Sequence, residues 1–100
     1  MGVVSREQIT DFLKSHKIEY REKYGICKIG LFGSIVRGEQ TESSDIDIAI
    51  EMEPSKKNLH NFLSFKRDLE SRFGTTVDLG IESTLKKTVK ENIKNEIVYV

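Results

Sequence analysis

Gly33-Ser34-Ile35-Val36-Arg37-Gly38-Glu39-Gln40-Thr41-Glu42-Ser43-Ser44-Asp45-Ile46-Asp47-Ile48-Ala49-Ile50 decides how this chain is read. Its second half, Asp45 to Glu51, alternates strictly between apolar and other residues. Strand side chains point alternately up and down, so Ile46, Ile48 and Ile50 share one face and Asp45, Asp47 and Ala49 the other. Two acidic residues side by side repel, and a half-buried pair is costly unless a cation neutralises it. Mg²⁺ suits such a pair, because it prefers oxygen and takes one or two protein carboxylates together with substrate phosphates. Taken alone, Asp-x-Asp is more often the mark of a solvated strand face.

The first half changes the balance. Cys27 to Phe32 is an apolar run of strand length, closed by Gly33-Ser34. Gly33 to Gly38 has room for one helical turn. Backbone N–H groups at such a turn, with the Ser34 hydroxyl, make an anion site. Glycine lets a phosphate approach the backbone closely. Arg37 falls three residues past Ser34, on the same side of the turn. A phosphate cradle followed by a carboxylate pair describes a nucleoside triphosphate held by backbone donors at one end and by Mg²⁺ at the other. Other phosphate and hydrolase signatures are absent. No Gly-Lys dipeptide exists to make a P-loop, there is no G-x-G-x-x-G, and no nucleophile elbow is present. His16 and His60 have no ligand partners nearby in sequence; His16 reads as a packed helical residue and His60 as a surface one.

Around this centre the elements follow the order α-β-α-β-α-β-α, an α/β (α+β) arrangement with one small mixed sheet packed against helices. Ser5 and Gln8 form a capping box. Ile9, Phe12, Leu13, His16, Tyr20 and Tyr24 recur at helical spacing, with Lys17 the one place where the pattern allows a break, and Gly25 ends the helix. A polar loop spans Glu39 to Ser44. Pro54 and Ser55 open a second long helix with Leu59, Phe62, Leu63, Lys66, Leu69 and Phe73 on its inner stripe, closed by Gly74. Thr75 to Leu79 is a third strand. Ser83 caps a last helix whose apolar line is Leu85, Val89 and Ile93, with Lys86, Lys90 and Lys94 as a basic line read first as a solvated face. Ile97 to Val100 forms a short edge strand.

Composition bounds the function. One hundred residues and 11.5 kDa give a single domain, 1–100, with no room for a second substrate-binding unit. Hydrophobic residues are 37% and charged residues 32%, with 16 Lys+Arg against 16 Asp+Glu. Zero net charge argues against bulk electrostatic binding of nucleic acid, though not against a local phosphate pocket. A lone cysteine, Cys27, excludes a disulfide framework and a Cys-rich zinc site. No apolar run is long enough for a membrane span, and the N-terminus lacks a signal-peptide pattern, so a cytoplasmic protein is expected.

Gly33-Ser34, ten intervening residues (Ile35 to Ser44), then Asp45-Ile46-Asp47 resembles the signature of the DNA polymerase β-type nucleotidyltransferase superfamily. The fuller string GSIVRGEQTESSDIDIAI resembles its minimal nucleotidyltransferase (MNT-domain) branch, which includes MntA-type antitoxins that pair with HEPN-domain toxins. The resemblance covers nearly the whole chain. It implies that Gly33 and Ser34, with Arg37 beside them, bind the triphosphate and that Asp45 and Asp47 ligate metal. It further implies a third carboxylate on a later strand, and Asp78 in Thr76-Val77-Asp78-Leu79 matches; Asp68 and Glu70 sit on a helix and match less well. Val36 stands where the family often has Ala, with no chemical consequence.

By the same resemblance the chain is an enzyme using two Mg²⁺ ions and ATP. Asp45 and Asp47 hold the nucleotide-bound ion, and Asp78 joins Asp47 on the second or serves as base. The acceptor is then a hydroxyl on a HEPN-type protein. Two other readings stay open: a non-catalytic nucleotide-binding module that neutralises a partner by contact, and an antibiotic nucleotidyltransferase. The missing acceptor domain weakens the last. No residue reads a base edge, so ATP rests on the resemblance.

Overall fold

A computed structural model describes residues 5–39 and 45–100. The Gln8 N–H donates to Ser5 Oγ at 3.1 Å and the Ser5 N–H to Gln8 Oε1 at 2.9 Å, the reciprocal bonds of a capping box. They start α1 (Arg6–Tyr24), which ends at Gly25 in the left-handed conformation, φ 76°. The helix runs unbroken through Lys17. Its buried residues Ile9, Leu13, Tyr20 and Tyr24 are four, seven and four apart, so one stripe stays in phase across Lys17 and nothing drives a break.

There follow β1 (Ile26–Phe32), the single turn α2 (Ser34–Arg37), β2 (Ile46–Met52), α3 (Leu59–Phe73), β3 (Val77–Ile81), α4 (Lys87–Ile93) and β4 (Val98–Tyr99). The sheet order is β3-β2-β1-β4. β2 pairs antiparallel with β1 and parallel with β3, and β1 pairs antiparallel with β4. The parallel pair needs a crossover, which α3 supplies. Ile29, Leu31, Ile46, Ile48, Ile50 and Val77 bury one sheet face against α1 and α3. Tyr20 and Phe65 meet edge-to-face at 4.9 Å between those helices. Core burial on that face leaves the alternate residues, Asp47 among them, on the other.

Four expectations need correction. Pro54 opens a 3₁₀ turn (Pro54–Lys56), not a helix, and α3 starts later at its own cap, where Asn58 Oδ1 accepts the Asn61 N–H at 2.8 Å. The inner stripe is Phe65, Leu69 and Phe73, each four residues on from the last. Lys66 lies beside that stripe and is half-buried, while Leu59 is 71% exposed in the first turn. β3 begins at Val77, two residues after Thr75, because Glu70 of α3 accepts the Val77 N–H at 2.9 Å and anchors the strand there. Ser83 does not cap α4: it lies with Leu85 ahead of that helix, in or after a 3₁₀ turn (Glu82–Thr84), and its N–H donates to Glu51. The loop expected over Glu39–Ser44 lies outside the described residues beyond Glu39, as do the first four residues of the N-terminus.

Candidate active site

The strand register brings the candidate residues together from three elements. Asp47 of β2 stands opposite Phe32 of β1 and beside Asp78 of β3. Phe32 is followed directly by Gly33, so the end of β1 delivers the turn to the carboxylates. Gly33 has φ 79° and ψ −153°, a region open in practice only to glycine. A Cβ built there would lie 2.0 Å from Asp47 Oδ2. Two separate requirements, backbone conformation and space for a carboxylate, therefore fall on one residue.

Asp47 is half-buried and its carboxyl is pushed up to about 6. Burial is the main cause; the charges of Asp78 and Asp45 and a hydrogen bond with Asp78 add to it, and Arg37 works against it. Asp45 is exposed, just ahead of β2. Asp47 and Asp78 are thus adjacent, with Asp45 near enough to act on Asp47 by its charge. Among the described residues no three acidic, histidine or cysteine side chains already form a metal cage. The donor set still fits Mg²⁺, which is commonly held by one or two carboxylates with phosphate and water filling the remaining positions. Asp47 is half-buried beside the exposed Asp78, and Arg37 offsets its burial and carboxylate neighbours only in part, an imbalance that a divalent cation relieves.

The anion side of the site is built at α2. Gly33 N–H and Arg37 point the same way, yet both are engaged by the chain itself. The Gly33 N–H donates to Glu96 Oε1 at 3.0 Å. Arg37 Nη1 donates to both Glu96 oxygens, at 3.2 and 3.1 Å, and Arg37 Nε to Glu39 Oε1 at 2.8 Å. Ser34 opens α2 and is partly exposed. Sequence reasoning missed Glu96, which lies 63 residues from Gly33 with no spacing signal to link them.

The remaining candidates take structural places. Asp68 holds Arg72 at 3.1 Å and Glu70 anchors the start of β3 at the Val77 N–H. His16 Nδ1 lies 2.9 Å from the Phe12 carbonyl oxygen, with its ring stacked on Phe12 at 4.1 Å, and His60 is exposed. Lys86, Lys90 and Lys94 are exposed on and beside α4, and Lys90 Nζ donates to the Ser83 carbonyl at 3.3 Å. No described helix is long and apolar enough to cross a membrane.

The profile of the nucleotidyltransferase domain family matches residues 13–100. The protein adenylyltransferase MntA of Thermococcus cleftensis is 40% identical over 100 residues, which is the whole of both chains. A solved structure described as a minimal nucleotidyltransferase superposes with a TM-score of 0.78 at 25% identity, covering 95% of each chain. A toxin–antitoxin crystal structure with AMP-PNP shares the fold, with a TM-score of 0.68 at 22% identity over 86% of this chain and 70% of that one.

Proposed function

This chain belongs to the nucleotidyltransferase domain family, and from that premise we propose that it moves AMP from ATP to a tyrosine hydroxyl on a HEPN-type toxin, as the antitoxin of the pair. In this reading residues 1–100 work as one catalytic domain, in the cytoplasm. The observation that carries it is the close approach of the Gly33 turn to Asp47, whose strand partner is Asp78, so that a candidate phosphate cradle and a carboxylate pair lie side by side. The 40% identity with a protein adenylyltransferase and the fold shared with a toxin–antitoxin complex support a protein acceptor and a toxin partner.

Asp45, Asp47 and Asp78 would hold two Mg²⁺ ions, whose charge stabilises the triphosphate oxygens and the departing pyrophosphate. Gly33 N–H, the Ser34 hydroxyl and Arg37 bind the phosphates beyond the reacting phosphorus. The acceptor oxygen forms a bond to the α-phosphorus as the bond to the pyrophosphate oxygen breaks. Asp78, exposed at the sheet edge, takes the acceptor proton directly or through water. A tyrosine hydroxyl, with a pKa of about 10, gives up that proton more readily than an aliphatic alcohol. The attached nucleotide places negative charge where a toxin acting on RNA must receive phosphates, and so repels its substrate.

Intact-mass measurement of the neighbouring HEPN-type partner, incubated with this protein, ATP and Mg²⁺, should show one or more added AMP units. Leaving out Mg²⁺ should abolish the addition and weaken nucleotide binding in calorimetry. An unchanged mass with stoichiometric inhibition of the partner would establish contact neutralisation instead. Labelled nucleotide captured by a small antibiotic rather than by protein would establish the third reading.

A further inference from the structure

Glu96 sits where an incoming phosphate would have to sit. Its carboxylate accepts the Gly33 N–H at 3.0 Å and a two-oxygen contact from Arg37 Nη1, the donors assigned above to the triphosphate. Arg37 also donates to Glu39, so its single positive charge faces two carboxylates. Arg37, Glu39 and Glu96 together carry one net negative charge, and the Asp47 carboxylate against Gly33 adds to it, which repels an anion until a carboxylate leaves. Of the two partners of Arg37, only Glu96 also occupies the backbone donor.

We propose that Glu96 is a built-in phosphate mimic, which keeps the cradle filled and shaped in the absence of nucleotide and is displaced by the polyphosphate of the substrate. The proposal rests on the nucleotide-binding reading above, and adds the residue that sets the threshold for binding. Glu96 is suited to leaving. It lies in the turn between α4 and β4, with its backbone held by the Glu96 N–H donating to the Ile93 carbonyl at 2.9 Å, so the side chain can swing without unwinding either element. Its side chain is 23% exposed, which gives it a path to water. A mimic of this kind keeps the buried Gly33 N–H from losing its partner and makes affinity a competition between two anions for one site.

The opposing reading makes Glu96 a positioning residue that stays in place and aims Arg37. The two readings predict opposite signs. In calorimetry with Mg²⁺ and either a non-hydrolysable ATP analogue or inorganic tripolyphosphate, Glu96→Gln should bind about three- to tenfold more tightly than the wild-type chain. The amide side chain can still accept from Gly33, so the fold is retained, and Glu96→Ala serves as a second variant. Glu91→Gln, on the exposed part of α4, makes the same change in net charge and should leave affinity unchanged. A parallel amide-exchange measurement should show the Gly33 N–H less protected in Glu96→Ala than in the wild-type chain, and reprotected when tripolyphosphate is added. Equal or weaker binding by Glu96→Gln, an equal gain in Glu91→Gln, or no polyphosphate binding by any variant would overturn the proposal. Tighter binding by Glu96→Gln without AMP transfer to any protein would keep it and overturn the transfer reading alone.

Discussion

Replacing Asp47 by Asn should make the metal-free protein more stable while removing its activity. The Asp47 carboxyl keeps its proton up to a pH of about 6 in the folded chain, against 3.8 for an unperturbed Asp. A raised carboxyl means that the folded state binds more protons than the unfolded one between those values. Stability therefore falls as pH rises through that window, and the loss is complete above it. A rise of about two pKa units corresponds to about 3 kcal/mol, which solvent reaching this half-buried group trims to about 1–2 kcal/mol.

Asparagine has no charge to desolvate, and its amide can donate to Asp78 where the shared proton did. At pH 7 in EDTA, urea unfolding of Asp47→Asn should thus give a midpoint about 0.5–1 M above wild type, for a slope near 2 kcal/mol/M. The two curves should converge at pH 4. AMP transfer should fall to background. A variant less stable than wild type at pH 7, or a gain that does not shrink toward pH 4, would show that the carboxylate pair is not a strained pair awaiting a cation.

Gly33→Ala should cost about 1–3 kcal/mol from the left-handed backbone alone, and should also abolish transfer because the new methyl displaces the Asp47 carboxylate; urea unfolding and the intact-mass assay check the two halves separately. Phe65→Ala, which empties the edge-to-face contact with Tyr20 at the centre of the core, should cost about 3–5 kcal/mol by the same unfolding measurement, near the limit of what a chain this small tolerates.

The elements that read clearly from sequence were those governed by local chemistry. The Ser5–Gln8 box, the glycines that end α1 and α3, and the Ile46-Ile48-Ile50 alternation each carry their own stop, start or face. Boundaries set by distant partners did not read. Val77 is the start of β3 because a helical Glu70 binds it, and α4 waits for Lys86 because Ser83 is held by Glu51 across the sheet. In α3 the expected stripe shares Leu69 and Phe73 with the buried one and has Phe62 packed against the core. It takes Lys66 in place of its neighbour Phe65, because i+3 and i+4 steps along a helix fit the sequence equally well there. At the candidate site, Gly33, Arg37 and Asp47 were legible because their spacing lies within one strand–turn–strand unit. The neighbour relation of Asp47 with Asp78 depends on parallel pairing across a fifteen-residue helix, and Glu96 on the C-terminal turn meeting α2. Neither leaves a periodic trace in the sequence.

The sheet order places the candidate groups on strands of unequal permanence. β2 alone has its carboxylate, Asp47, flanked by hydrogen-bonded strands on both sides, whereas β3 is an edge and β4 is two residues long. Amide exchange from β2 should require near-global opening, while β3 and the C-terminal turn exchange through smaller local excursions. Asp47 is then the fixed point of the site, and Asp78 and Glu96 are the parts that can adjust around it. Substrates of different shape would be accommodated by fluctuation at the two rims, with the central carboxylate held still.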